Sequence, residues 1–203
     1  MTPEAPDGPG GPSGVAAERP LRADARRNRA RVLRAADAVF AAKGAGASTE
    51  EVAREAGVGI GTVFRHFPTK EALLTAVLVD RLRRLADEAE AQADAEDPGG
   101  AFFRFFARVV DQGRTKNTFT DLLRQAGVDV RAETAAYGAR VSAAVAGLLV
   151  RAQRAGAVRE DAGVAEVLAL MAGAARAAEH AAFDDEVRAR ALAIVFDGLR
   201  PAR

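Results

Sequence analysis

A chain of 203 residues, 49% apolar and 28% charged, is long enough for one or two packed domains and too apolar to be disordered throughout. It contains no cysteine, which excludes disulfides and the thiolate ligands of structural zinc and iron–sulfur sites. The net charge is only +1, yet residues 22–70 carry ten basic and five acidic side chains, a local +5 that leaves −4 on the rest.

That asymmetry fits a phosphate-binding head on a more acidic body, and equally a pair of solvated basic helix faces. Residues 1–21 are dense in Pro, Gly and Ala and are expected to form a disordered tail. The tail has no apolar segment of a secretory leader, and the longest apolar run, 143–150, is too short to span a bilayer. No membrane association is therefore expected, and the default compartment is the cytoplasm.

Beyond the tail the apolar spacing is helical, with no sustained strand alternation and no Asn-Gly hairpin signal, so the fold class is all-α. The first helix is predicted over Asp24–Lys43, with Val32, Ala36, Val39 and Phe40 on one face, an arginine-rich N-terminal half, and Gly44 as its stop. The second starts at Ser48, whose hydroxyl and Glu51 form a capping box, and ends at Gly57. A very short third helix covers Ile60–His66. After Pro68 a long fourth carries Leu74, Leu78, Leu82 and Leu85, and the segment Asp97-Pro98-Gly99-Gly100 is expected to break it. Next, Phe102, Phe103, Phe106, Val109 and Val110 line one face while Phe105 lies off it, which marks a central, buried helix. Another helix carries Tyr137, Val141, Val145, Leu148 and Leu149 and is closed by Gly156. The last two carry Val164, Val167, Leu168, Met171 and Ala175, then Val187, Ala191, Ile194, Val195 and Leu199 after the capping candidates Asp184 and Asp185.

The stretch from Ser48 to Phe67 has the parts of a helix-turn-helix. Val52 and Ala53 supply a small apolar inner face, Gly57 permits a turn at positive φ, and Val58, Val63 and Phe67 pin the second helix to the body. Its other face is then free for a major groove. At its N-terminus Gly59, Ile60, Gly61 and Thr62 allow close approach, and Ile60 or the Thr62 methyl can meet a thymine methyl.

Through Ala53 to Val58, then Gly61, Thr62, Phe64, Phe67, Lys70 and Leu73, the chain resembles the TetR family of one-component regulators over about residues 26–78. The resemblance implies an N-terminal three-helix helix-turn-helix DNA-binding domain, residues 22–68. It also implies a C-terminal helical ligand-binding and dimerisation domain, residues 69–203. It implies phosphate contacts from Ser48, His66 and Lys70, and base contacts from Thr62 and its neighbours Gly59, Ile60 and Gly61. Two positions depart from the family pattern: Gly59 stands where Ser or Thr is usual, and Phe64 where Tyr is usual. The grip is accordingly expected to lean on Arg65, His66, Lys70 and the arginines before Val32. Without the surrounding pattern, His66 reads as a solvent-facing histidine and Lys70 as a first-turn helix charge.

The resemblance further implies a homodimeric repressor, released from a palindromic double-stranded DNA operator by a small, largely apolar effector. The last two helices of each subunit would form a four-helix bundle and set the heads about 34–36 Å apart, or a multiple of that. The effector pocket is expected among Phe103, Phe106, Val110, Phe119, Leu123, Tyr137 and Met171, with Arg104, Arg108 or Gln112 supplying a polar contact. No metal or other cofactor is expected, and His180 reads as an interface or surface residue. An enzyme is the rival from another class, but no nucleophile–base pair, metal-ligand spacing or phosphate loop stands out. A helical interaction module whose head has lost DNA binding is the other alternative, and the departures at Gly59 and Phe64 are its argument.

Overall fold

The computed structural model describes residues 15–178 and 184–202, and the side chains of all of these except 15–23, 45 and 114–118. Their regular structure is helical throughout: α1 (Val15–Lys43), a 3-10 turn (Gly44–Gly46), α2 (Thr49–Ala56), α3 (Ile60–His66), α4 (Lys70–Glu90), α5 (Pro98–Gln125), α6 (Val130–Arg154), α7 (Val164–Ala177) and α8 (Asp185–Leu199). The first helix starts at Val15 rather than at Asp24 and continues through Pro20, whose missing N–H leaves one bond of its early turns unmade. Residues 1–14 of the expected tail, and His180, lie outside the described residues.

The head is assembled by local chemistry. Ser48 Oγ accepts from the Glu51 N–H at 3.2 Å while the Ser48 N–H donates to Glu51 Oε2 at 3.0 Å, which closes the capping box at the start of α2. Lys43, at the end of α1, pairs with the same Glu51. That ammonium, and then the Ser48 N–H, hold the Glu51 carboxyl below the ordinary carboxylate range. Helix α2 ends at Gly57, whose φ of 62° is a left-handed conformation that costs a side-chain-bearing residue about 1–2 kcal/mol. The carbonyl of Gly57 accepts from Arg31 Nη2 at 3.3 Å, so the turn is held against α1.

Two apolar cores are built on this frame. In the head, Val32, Ala36 and Phe40 of α1 close on Val52, Ala53, Val63 and Phe67, together with Leu73, Leu74, Val77 and Leu78 of α4. Phe119 and Leu123, from the far half of α5, are buried in that same core. The body core holds Phe102, Phe105 and Phe106 of α5, Leu85 and Ala89 of α4, Val145, Leu148 and Leu149 of α6, Val167 and Met171 of α7, and Leu199. Helices α4 and α5 therefore each belong to both cores.

The segment Asp97-Pro98-Gly99-Gly100 opens α5 rather than breaking the helix before it. Asp97 accepts from the Gly100 N–H at 2.8 Å as the N-cap, and Pro98 takes the first helical position, where its missing N–H leaves no bond unmade. Helix α4 already ends at Glu90. The chain after it is held by Arg151 of α6, which donates to the carbonyls of Gln92 at 3.3 Å and Ala95 at 2.9 Å. Arg140 joins α6 to α4 through Asp87 at 2.8 Å and Glu90 at 2.7 Å. Asp37 of α1 takes both Arg81 and Arg84 of α4, with Arg81 Nε at 2.5 Å and Arg84 Nη2 at 2.9 Å.

Helices α5 and α7 meet at Gly113, where a Cβ would fall on the methyl of Ala175 and 3.2 Å from its Cα. Replacing Gly113 by Ala is expected to lower stability in urea unfolding, since overpacking of about 1–3 kcal/mol outweighs the roughly 0.5–1 kcal/mol that Ala gains in a helix. Gly138 of α6 has open space around such a Cβ. Gly138→Ala is therefore expected to leave stability unchanged or raise it by up to about 1 kcal/mol.

Ser48→Ala is expected to cost about 1 kcal/mol by loss of the cap. Because the folded Glu51 carboxyl is held below its unfolded range, its contribution is present above that range and disappears as pH falls through the folded value. The stability gap between the wild type and Glu51→Gln should accordingly be open at neutral pH and close in acid, as followed by thermal melts across a pH series.

Candidate nucleic-acid interface and internal cavity

Helix α3 is fixed by one face and open on the other. Val63 is completely buried and Phe67 nearly so, with the Arg29 guanidinium 5.2 Å from the Phe67 ring centroid. Gly59 caps the helix through its backbone, its carbonyl accepting from the Thr62 N–H at 2.8 Å, with no side-chain cap. Gly59, Ile60, Gly61, Phe64 and Arg65 are exposed, and Thr62 and His66 are half-buried. Ile60 and Phe64 stand 37% and 43% exposed one helical turn apart, an apolar strip that folding leaves in water. Ser48, engaged in the capping box, sits half-buried at the N-terminus of α2. Lys70, in the first turn of α4, places its ammonium 5.8 Å from the centroid of Phe40, so its aliphatic stem covers the head core.

The basic flank has two roles, and Arg29 shares in both. Arg29 and Arg31 are used in holding α1 to Phe67 and Gly57. Arg26, Arg29 and Arg34 line a groove of about 410 Å³ between α1 and α4, which Arg83 and Arg84 complete from the other side beside Asp80.

The body holds a separate cavity of about 340 Å³, partly open to solvent. Helix α4 contributes Arg81, Leu82 and Leu85 to its wall, and α5 contributes Val109, Gln112 and Gly113. Helices α6 and α7 close it with Val141, Ser142, Leu168 and Met171. Of the residues expected to line an effector pocket, Met171 lines this cavity. The others lie elsewhere. Phe103 and Phe106 pack on Phe196 at centroid distances of 4.8 and 5.4 Å. Val110 faces a groove formed with α7 and α8. Phe119 meets Phe40 edge-on at 6.2 Å in the head core, where Leu123 is also buried, and Tyr137 is half-buried beside the wall residue Gly138.

The physical reason is a rotation of one residue along α5. Positions 109, 112 and 113 form the cavity face, and 103, 106 and 110 form the next one, about 100° away. Of the proposed polar contacts, Gln112 is in the wall, while Arg104 pairs with Asp97 at 3.5 Å and Arg108 with Glu88 at 3.2 Å. With its oxygen assigned toward Arg108 from the hydrogen-bond network, the Gln112 amide accepts at 2.8 and 3.1 Å. Sequence reasoning passed over Arg81 as a cavity residue. It also passed over Gly113 and Gly138, glycines inside helices, which are a readable sign of a close approach or a void. Among the described residues no cluster of His, Asp and Glu could hold a metal ion, and no helix is long and apolar enough to cross a membrane.

Comparison with known proteins respects the same division. Residues 32–77 match the family of bacterial regulatory proteins described as tetR, and residues 97–201 match the C-terminal domain of SbtR-like transcriptional regulators. A TetR transcription regulatory protein from Mycobacterium vanbaalenii is 43% identical, with 90% of this chain and 100% of that one covered and a TM-score of 0.76. A TetR transcriptional regulator from Streptomyces coelicolor is 32% identical over 86% and 99% of the two chains, with a TM-score of 0.71. A third structure, described as the molecular basis for control of antibiotic production by bacterial hormones, is 25% identical over 86% and 98%, with a TM-score of 0.66. No curated protein matches the chain.

Proposed function

We infer the function of this chain from its family: it belongs to the TetR family of bacterial transcriptional regulators, which are DNA-binding proteins and not enzymes. From that membership we propose that it is a cytoplasmic repressor, a homodimer bound to a palindromic operator and released from it by a small molecule. The observation that carries the reading is α3, anchored inward by Val63 and Phe67 while Ile60 and Phe64 stand exposed beside Gly59 and Gly61. Small residues let the helix backbone approach base edges, and exposed apolar side chains suit thymine methyls. Ser48, Thr62, Arg65, His66 and Lys70 supply the polar contacts around that face. In this assignment residues 22–68 read DNA, and residues 69–203 bind the effector and pair the subunits.

Support for a homodimer comes from α7 and α8. Leu170 is 41% exposed and Ile194 72%, and an apolar groove of about 370 Å³ runs between these helices past Gly173, Ala174, Val187, Ala191 and Val195. A surface of this kind is costly in water, and a second copy presenting the same face would cover it. The cavity in the body, mostly apolar with Gln112 and Ser142 among its walls, suits a small effector, and the hormone control described for the third relative is consistent with one.

Fluorescence anisotropy against the DNA upstream of the protein's own gene tests DNA binding. Tight, salt-sensitive association is expected. Lys70→Ala and His66→Ala should each weaken it, and Lys70→Ala should also reduce the slope of log affinity against log salt by about 1 if its ammonium contacts one phosphate. Unchanged affinity in both, with an unchanged slope in Lys70→Ala, would remove them as phosphate anchors. Ile194→Glu is expected to yield monomers in analytical ultracentrifugation and to lower operator affinity about 100-fold, since each head then binds alone.

A further inference from the structure

Arg81 belongs to two sites at once. It is the charged residue lining the body cavity among the described residues, in a wall otherwise formed by apolar groups, Gln112 and Ser142. Its Nε lies 2.5 Å from Asp37 Oδ1 on α1, and its guanidinium stands 5.1 Å from the centroid of Phe119. The Arg81 and Asp37 side chains are 16% and 18% exposed, so the pair is largely withdrawn from water and its charges are weakly screened. Arg84, the other partner of Asp37, is 45% exposed and shares itself with Asp80 at 3.1 Å. Of the two α4 residues that tie Asp37, Arg81 is the one that also lines the cavity.

We infer that the effector is an amphiphilic monocarboxylate whose acid group binds Arg81 and loosens the Asp37 tie between α1 and α4. This rests on the reading of the cavity as the effector site. A guanidinium carries five N–H donors in a planar fork that matches a carboxylate, and Asp37 occupies only part of that fork. An apolar tail fits between Leu82, Leu85, Leu168 and Met171. A second carboxylate on Arg81 competes with Asp37 for the same charge and repels it. The head is then held to α4 more weakly on this side, by Arg84 and the apolar core. Because the acid binds best when Arg81 is free of Asp37, it favours the loosened state by its differential affinity, which is the only way a ligand shifts such an equilibrium. A neutral ligand of the same shape lacks that leverage.

The test uses the full chain, with octanoate and decanoate compared with 1-octanol and 1-decanol, below their solubility and micelle limits. Binding is measured by calorimetry and release from upstream DNA by anisotropy. The acids are expected to bind about tenfold or more tightly than the alcohols, the size of one charge-assisted contact, and to release DNA. Arg81→Met should abolish that preference, bringing acid and alcohol affinities within about twofold of each other. Asp37→Asn, which frees the guanidinium, should act in the opposite direction, tightening acid binding and weakening DNA binding before any acid is added. A purely structural role for the pair would weaken acid binding in both variants, so tighter acid binding by Asp37→Asn decides the matter even where Arg81→Met folds poorly. Equal affinity for acids and alcohols, no acid binding across the series, or an acid preference that survives Arg81→Met would each overturn the inference. Release of DNA by the alcohols alone would also overturn it and leave the regulator reading standing. Failure of the free protein to bind its upstream DNA would instead remove that reading, with calorimetry still deciding the acid site.

Discussion

Phe119, carried by the central helix of the body, meets Phe40 of the first helix edge-on inside the head core. With Leu123 beside it, this contact extends the head core into the body and makes α5 a member of both. Helix α4 does the same along its length, with Leu73 to Leu78 in one core and Leu85 and Ala89 in the other. The head is therefore not a bead on a flexible tether. Its pose is set by two rods, and any molecule that enters the body must act on the head through one of them or through the pairing of Asp37 with α4.

The head was almost fully legible in the sequence because its structure is decided over a few residues. Ser48 and Glu51 cap each other three positions apart, Gly57 takes the left-handed turn that its lack of a side chain permits, and α3 runs over Ile60–His66 as the pattern indicates. The cavity was not legible in the same way. The phenylalanines of α5 are conspicuous, but which of them face a void depends on how α5 is rotated against α4, α6 and α7. A shift of one position exchanges Val110 for Val109 in the wall. The pairing of Asp37 with Arg81 spans 44 residues and leaves no periodic trace. Similarly, Asp97-Pro98 reads equally as a helix breaker or a helix starter until it is known where α4 has already ended.

Four of the five large apolar side chains left exposed among the described residues lie on two surfaces: Ile60 and Phe64 on α3, Leu170 and Ile194 on α7 and α8. A folded chain that buries Phe40, Phe102, Phe105, Phe106 and Phe119 completely has the means to hide such groups. Keeping them in water carries a free-energy cost, which a docking partner removes. At Phe64 the missing hydroxyl and the open exposure have the same result. That position offers hydrocarbon and aromatic surface where a tyrosine would offer a hydrogen bond, so a contact made there would be less directional.

The close approach of Gly113 to Ala175 has a mechanical meaning. Backbone against methyl leaves no compliant side chain to take up displacement, so α5 and α7 are meshed there like the teeth of two gears. The same turn of α5 borders the cavity, the helix continues to Phe119 in the head, and α7 carries Leu170 on the outer face of the body. A displacement at this point meets no side chain that could yield to it, whereas looser packing would absorb it as local repacking.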